Sequence, residues 1–565
     1  MTSLAPLFPV EIMEMIFTYL SEETCQAALF NGLEVPTPES RQDLLSCALS
    51  NSILFDHAIR ILWRNVELLP LLKLLPDFSE LEDGSYALTG NVAYNDNTLK
   101  RFDFYSRKVR RLVLFGHDES EESSASVQIP ESTQRRLNYA RPNPLPLLTH
   151  LYCSAQSFYD KSAFMVSPFL KSASFNQCSV WDVMMFLFYV DQDRKAPMLH
   201  SLTVTSSYDG DEDLLPSILE VDLQNLRHFN FSLSDLDLPI KLDLRLLSHL
   251  LHLDELTIDV HGTMIDGVRL LDGSLNSPRA LRRLTLHLDD QNASLASTIF
   301  QIFQNSPIEH LSIVGSLETE QHQAVFAAIP SLWAQTLTFV VVENHFHPSG
   351  DYSPQPLSDF IASMYALRGL ERLELLGLEN SFYSSDADIS NICNAWPNLT
   401  TLALETATSS EVAGQLPTEA SLEVISRLCP RLRVLKFPLD VLYIPFPSIP
   451  SISKSKPNSN SSSPALVSTT AGGGATTAQC RRQAHRLEYL LLDLDECDFH
   501  ACNSKDKHLA PLVYHLDNGF PYLKEVDVRY EVGDLGGRSW EAVQHALEFW
   551  QGNRRWLRRR GVSWA

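Results

Sequence analysis

Four groups of residues in this 565-residue chain have types and spacings that invite a chemical reading. Cys497, His500 and Cys502, taken with Cys480, are thiolate and imidazole groups of the kind that hold zinc. Their spacing is not that of a closed tetrahedral site, and Cys480 borders a low-complexity stretch. Asp209, Asp211, Asp213 and Glu220 fall on some positions of a calcium loop. Leu214, however, occupies the place that needs glycine for the turn, so an acidic loop leading into a helix is the better reading. Gly472, Gly473 and Gly474 lack the Lys-Ser/Thr ending that a phosphate-cradling loop requires, and neither a Gly-x-Ser-x-Gly elbow nor a His-Glu-x-x-His helix occurs. Ser120, Ser123 and Ser124 stand among Asp118, Glu119, Glu121 and Glu122, a pattern open to phosphorylation but also that of an ordinary solvated loop. The expectation is a non-catalytic protein with no metal and no cofactor.

What the chain must position instead is a repeated apolar unit, Leu-x-x-Leu-x-Leu. Copies begin at Leu148, Leu199, Leu226, Leu253, Leu281, Ile308, Leu370 and Leu399, with shorter ones at Leu432, Leu487 and Leu523. The central hydrophobes Leu202, Phe229, Leu256, Leu284 and Leu311 keep a near-constant interval, which unrelated strands would not do. Amphipathic stretches between the units, at 297–304, 358–367, 389–395 and 422–428, each offer one helix per repeat. Pro197, Pro278, Pro307, Pro397, Pro430 and Pro521 mark the return to the strand. A strand and a helix at this period resemble the leucine-rich repeat. The fold class is therefore α/β: a small helical domain followed by a curved leucine-rich-repeat-like solenoid with a parallel sheet. A doubly wound α/β enzyme also alternates strand and helix, but it would not repeat one motif at one interval.

Composition agrees. A hydrophobic share of 44% with 20% charged residues suits a soluble protein with a large core, and a net charge of −24 argues against nucleic acid as a partner. The nine cysteines are odd in number and scattered, which suits free thiols in a reducing compartment. The apolar amino-terminal stretch has no preceding Lys or Arg and is interrupted by Glu11 and Glu14. No run approaches the length of a membrane span. The expected location is cytoplasmic and/or nuclear, with no membrane partner.

The amino-terminal residues are read as two helical pieces. In the first, Phe8 and Pro9 open a helix in which Ile12, Ile16 and Leu20 share a face beside Phe17. In the second, Leu45 and Leu49 precede Leu62 and Trp63, again at helical spacing. So thin a core must lean on a neighbour or a partner. At these positions the chain resembles the F-box, the motif that docks a protein onto the Skp adaptor of cullin-based ubiquitin ligases. The pattern is met by Pro9, Glu11, Ile12, Ile16, Phe17 and Leu20, and by Cys47–Ser50 with Ala58 and Leu62–Arg64. The resemblance implies that Phe8, Pro9, Ile12, Ile16, Phe17, Leu20, Leu45, Leu49, Leu62 and Trp63 contact the adaptor, and through it a cullin. It further implies that the solenoid captures a protein for ubiquitination. A scaffold with no link to ubiquitin is the alternative.

The expected domains are 1–77, helical, with an insertion at 21–43; 105–535, the solenoid, with flexible insertions at about 116–146 and 447–479; and 536–565, a capping helix with a basic tail. In each repeat the residues after the central hydrophobes should face outward. The first row of these runs Thr203, Asn230, Thr257, Thr285, Ser312, Val341, Glu374, Ala403, Lys436, Leu491 and Asp527. The second includes Thr205, Ser232, Asp259, His287, Val314, Glu343, Glu405 and Asp493. Thr203, Asn230, Asp259, His287, Glu343, Glu374, Glu405 and Asp493 are the candidate substrate contacts. The rows turn acidic toward the carboxyl terminus, which suggests a basic segment on the partner. Deleting 451–477, rich in Ser, Asn, Thr and Gly, should remove little buried apolar area. The expected outcome in a thermal melt is a Tm within about 5 °C of the parent, and a larger fall would show that the insertion is packed.

Overall fold

The computed structural model describes residues 15, 38–50, 52–80, 86–88, 94–115, 127–128, 131–154, 166–178, 180–192, 196–206, 223–233, 240–243, 247, 250–260, 265–269, 278–345, 354–378, 381–407, 416–439, 485–493, 516, 520, 522–529, 544, 547–548 and 551. The chain divides into two units, Met1–Leu317 and Glu318–Ala565.

In the first unit the first continuous described segments are helices α1 (Pro38–Ser50) and α2 (Ser52–Leu62). Ser40, Leu44 and Ala48 recur every four residues and are buried, so one face of α1 is committed inward. Leu44 and Ala48 form a core with Ala58 and Ile59, closed by Leu54, Phe55, Leu62, Trp63 and Tyr105. Helix α1 begins inside the segment expected to be a loop, because Pro38 suits a first helical turn and Ser40 and Leu44 have a core to enter.

The helical segment passes directly into a parallel sheet. Its strands are β1 (Asn65–Glu67), β2 (Arg111–Phe115), β3 (His150–Ser154), β4 (Ser172–Asn176), β5 (Ser201–Ser206), β6 (His228–Leu233), β7 (Glu255–Asp259), β8 (Arg283–Asp289) and β9 (His310–Ser316). Each pairs with the next in parallel, β1 with β2 included, so the sheet begins before residue 77. The register places Val66, Leu112, Leu151, Ala173, Leu202, Phe229, Leu256, Leu284 and Leu311 in one row, and all are buried. Strands β2 and β4 carry weaker versions of the unit. Val109 stands for the first Leu in β2 and Ala173 for the second in β4.

The segment 116–146, expected to be a loop, contains helix α3 (Glu131–Ala140). Only Leu137 of its last six residues is fully buried, so its apolar signal is faint. A tertiary clamp holds its end. Arg141 sets Nε 2.9 Å from Asp103 Oδ1 and Nη2 2.7 Å from Asp103 Oδ2, and reaches Asp96 at 2.8 Å. Such a forked pair is among the stronger ionic hydrogen bonds.

The second unit repeats the plan with β10 (Phe339–Asn344), β11 (Arg372–Leu378), β12 (Thr401–Thr406), β13 (Val434–Pro438), β14 (Tyr489–Asp493) and β15 (Glu525–Arg529), all parallel. The predicted strand at Val340–Val342 is the middle of β10. The predicted helices here are present with earlier starts: Leu357–Ile361 continuing as a 3-10 turn to Ala366, α4 (Asp386–Ala395) and α5 (Glu419–Leu428). Ser385 and Asp388 form a capping box at α4, and Thr418 caps α5. Asp386, in the first turn of α4, accepts hydrogen bonds from the Thr418 N–H and hydroxyl, both at 2.8 Å, tying one repeat's helix start to the next.

Two local devices recur in both units. In many repeats a turn precedes the first Leu, whose N–H donates to the carbonyl three residues back. Examples are Leu148 to Leu145, Leu170 to Ser167, Leu199 to Ala196, Leu399 to Trp396 and Leu432 to Cys429. Pro146, Pro168, Pro197, Pro397 and Pro430 occupy the second position of these turns, where a locked φ is favoured; they shape the turn as well as end the helix. Gly315 and Gly377, at φ of 154° and 68°, each lie against a carbonyl of the preceding strand. A Cβ there would overlap the oxygen of Leu288 or Asn344.

Beside β15, the last strand among the described residues, the Gln544 side chain bonds the strand backbone. Its Oε1 accepts from the Val526 N–H at 3.1 Å and its Nε2 donates to the Lys524 carbonyl at 3.2 Å. Backbone at 544, 547, 548 and 551 is helical, with Leu547 buried. These four positions fall within 536–565, where a capping helix is expected.

His485 is buried where β14 begins. Its Nε2 lies 2.7 Å from the Cys429 carbonyl and its Nδ1 accepts the Leu487 N–H at 3.1 Å, so the neutral tautomer uses both nitrogens. Burial lowers its pKa, and burial does the same at His150 and His200. A histidine depressed in the folded state takes up its proton first in the unfolded chain. Its stabilisation is therefore full above the unfolded value of about 6.5 and is lost as pH falls below it. Urea midpoints should drop between pH 7.5 and 5.5, and His485→Gln should reduce the slope. Equal midpoints at the two pH values would show that these rings are protonated without cost.

Candidate functional site

Of the residues assigned to the adaptor, Phe8, Pro9, Ile12, Ile16, Phe17 and Leu20 lie outside the described residues. Leu45 and Leu49 are one turn apart on the outward face of α1, 48% and 77% exposed, although each is a large apolar side chain. Leu62 and Trp63 are placed differently. Both close the helix-pair core from its side, and Trp63 stacks on Tyr105 with ring centroids 4.4 Å apart. Of the four described residues assigned to the adaptor, Leu45 and Leu49 are the two that face out.

The outward rows are assembled by the ladder. Thr203 pairs with Asn230, Asn230 with Thr257, Thr257 with Thr285 and Thr285 with Ser312. The second row joins Thr205, Ser232, Asp259, His287 and Val314 in the same way. In the second unit Val341 pairs with Glu374, Glu374 with Ala403, Ala403 with Lys436 and Lys436 with Leu491. Glu343 lies opposite Leu376, and Asp493 between Pro438 and Arg529. Glu405 stands at the next outward position after Ala403.

Their charges are largely matched inside the chain. Glu405 is ion-paired with Lys436 and also accepts the Gly377 N–H at 3.0 Å; these two side chains are only 13% and 15% exposed. Glu374 pairs with Arg372 at 2.6 Å, Glu343 lies 3.7 Å from His345, and Asp259 accepts the Ser232 hydroxyl at 2.8 Å. Glu374 and Glu405 therefore lack the bare negative charge on which the inference of a basic partner segment rests. The composition of the rows could not reveal the pairing, because Lys436 is thirty-one positions from Glu405.

A second line of side chains, unassigned in the sequence reading, runs along the rim where the strands begin. It is formed by the first x of each Leu-x-x-Leu unit. From β7 onward in the first unit it alternates in sign. Arg282 lies between Asp254 (3.9 Å) and Glu309 (ion-paired), and Arg283 bonds Asp254 at 3.2 Å and Glu255 at 3.1 Å. In the second unit Glu488 receives Arg433 at 2.9 Å and Lys524 at 2.8 Å, and these partners hold its carboxyl below the usual range.

Before β7 the rim is of one sign. Arg64, Arg110, Lys171 and Arg227, with Thr149 and His200 between them, occupy the position in six successive repeats. Burial, then Arg60 and Arg64, lower the pKa of Arg110. Burial and the surrounding cations and histidines likewise keep His150 and His200 below the usual imidazole value. Two cavities open at this end, of about 640 and 300 Å³, and both are lined by Arg60, Lys108 and Arg110. Asp96 and Asp103 also line the larger one, but Arg141 occupies both. The signal was legible in Leu148-Thr149-His150-Leu151, Leu199-His200-Ser201-Leu202 and Leu226-Arg227-His228-Phe229, had the outer positions been followed as a column.

The proposed metal and calcium residues, Cys480, Cys497, His500, Cys502, Asp209, Asp211, Asp213 and Glu220, lie outside the described residues. Among the described residues no three His, Cys, Asp or Glu side chains are grouped to hold a metal, and no helix is long and apolar enough to cross a membrane. The nearly buried Glu405–Lys436 pair gives a direct measure of how far the outward face is self-compensated. Lys436→Met should cost about 2–3 kcal/mol in urea unfolding, since it removes the cation paired with a nearly buried carboxylate, and adding Glu405→Gln should restore more than half. A single-mutant cost near zero would mean that the pair is solvated.

No family model matches the sequence, and no curated protein does. Among solved structures, a crystal structure of the Rad7 and Elc1 complex in yeast is similar at 16% identity, covering 72% of this chain and 91% of that one, with a TM-score of 0.26. A superposition that loose establishes neither a common fold nor a common function.

Proposed function

We propose that this chain is a non-catalytic recognition subunit. Its amino-terminal helical segment docks an adaptor of the Skp type, and through it a cullin, while the repeat strands hold a protein substrate for ubiquitination. The observation that carries the docking half is the outward pair Leu45 and Leu49 on a helix whose opposite face is already filled. Exposed leucines at i and i+4 form the apolar anchor that a helix offers to a groove. The recognition half rests on the parallel ladder, which holds polar side chains from adjacent repeats in two straight rows without using them for the core. Ubiquitin transfer itself would be a matter of proximity, since holding a lysine near charged ubiquitin makes the encounter effectively intramolecular. The ubiquitin link comes from the F-box resemblance of the sequence.

Affinity purification of the tagged chain is the test, and recovery of both adaptor and cullin is the expected result. Leu45→Asp with Leu49→Asp should change folding stability by no more than about 0.5 kcal/mol per site, because both are exposed. The same pair should lower adaptor recovery more than about tenfold by placing charge in an apolar contact. Wild-type recovery by the double variant would move the docking face elsewhere. Absence of adaptor and cullin from the parent purification would leave the scaffold alternative.

A further inference from the structure

The basic rim of the first unit is not explained by composition, since the protein carries a net charge of −24. Nor does the strand ladder require a single sign of charge. The ladder at this position is made by backbone groups, and Asp254, Arg282 and Glu309 fill the same position further along with opposite charges. Charge alternation is thus available to the scaffold, and it is not used between Arg64 and Arg227. Burial first, and then the like charges of Arg60 and Arg64, lower the pKa of Arg110. A surface kept in that condition gains free energy when an anion arrives.

We infer that this rim, from the Arg60–Lys108–Arg110 cavities to Arg227, is a docking surface for a carboxylate-rich segment of a partner protein. Two features select the ligand. The charges do not converge on one point. They are spread over strands β1 to β6, five inter-strand steps of about 4.8 Å, or on the order of 24 Å, which matches about seven residues of extended peptide. A run of singly charged Asp and Glu side chains fits such a line better than one concentrated dianion. In addition, Arg110 already donates through Nη1 to the carbonyls of Arg107 and Val109, at 2.9 and 3.1 Å, which leaves its Nε–Nη2 edge, a planar fork that matches one carboxylate. A nucleic acid duplex would bring its phosphates against the acidic remainder of the protein as well. The rim is distinct from the outward strand rows and from the Leu45–Leu49 face, and the inference does not rest on the adaptor reading.

The test uses the full chain without adaptor, in fluorescence anisotropy at low salt. The probes are a labelled peptide of alternating Glu and Gly, its Gln counterpart, a version carrying phosphoserine at two of the Glu positions, and a duplex oligonucleotide. The Glu peptide should bind, weaken with added salt, and exceed the Gln peptide by more than about tenfold. Reversal of three exposed rim cations, Arg64→Glu, Lys171→Glu and Arg227→Glu, should weaken it at least about tenfold with the circular dichroism spectrum unchanged. Arg368→Glu, Arg427→Glu and Arg431→Glu, exposed in the second unit, change the net charge equally and should leave binding within about twofold. Absence of binding, equal binding of the Gln peptide, or equal loss in the second-unit variant would overturn the proposal. So would an oligonucleotide binding as tightly, or the phosphopeptide exceeding the Glu peptide by more than about tenfold, which would make phosphate the ligand.

Discussion

One backbone carbonyl per repeat carries the architecture. The Arg64 oxygen accepts the N–H groups of both Arg110 and Arg111, at 2.9 and 2.8 Å. The oxygens of Arg110, Thr149, Lys171, His200, Arg227, Asp254 and Arg282 each do the same for the following repeat. In the second unit Thr338, Glu371, Thr400, Arg433 and Glu488 hold the same role. A double acceptor fixes the start of each strand against its predecessor, and parallel register then follows residue by residue. Everything inward depends on that start. A slip of one residue would turn the row from Leu202 to Leu311 out to solvent and bring the Thr203 to Ser312 row into the core.

Because the backbone makes the ladder, the side chains at the ladder position are free to carry charge, and the molecule uses them in two ways. Where signs alternate, as at Asp254, Arg282 and Glu309 or at Arg433, Glu488 and Lys524, the rim neutralises itself. Exposed pairs of this kind add little stability. Where the sign is uniform, the rim holds a field that a protein of strongly negative net charge would not show on average. The outward face follows the first pattern in its second half, where Lys436 and Arg372 balance Glu405 and Glu374. Binding potential therefore sits more at the rim of the first unit than at the acidic row.

Regularity on the sheet side contrasts with variety on the other. Between β1 and β2 lie a short helix (Leu68–Leu72), a strand pair (Phe78–Glu80 with Tyr86–Leu88) and a helix at Lys100–Ser106. Between β11 and β12 there is a strand of two residues and α4. The ladder requires only that the chain return to the next carbonyl, and in many repeats the turn before the first Leu performs that return. Loops of different length are then tolerated at modest entropic cost. Beside β15, the last strand among the described residues, Gln544 and Gln551 bond the backbone with side-chain amides, Gln551 reaching the Leu523 carbonyl at 2.9 Å.

The sequence by itself determined the repeat, its interval, the inward and outward alternation of each strand, and the α/β solenoid class, because a period of two in apolar residues leaves a strand one way to bury them. It determined also that Leu45 and Leu49 share one side of a helix. It left β2 and β4 faint, since Val109 and Ala173 are weaker apolar signals than Leu and were buried only once Leu112 and Phe175 found neighbours in register. Helix α3 was invisible for a related reason: a polar segment is held by Arg141 reaching back thirty-eight residues to Asp103, a contact that no local window contains. The same limit applies to charge. Which acids were quenched and which cations stood together was decided by residues one repeat apart, brought within about 5 Å by strand pairing, and only the tertiary structure sets that pairing.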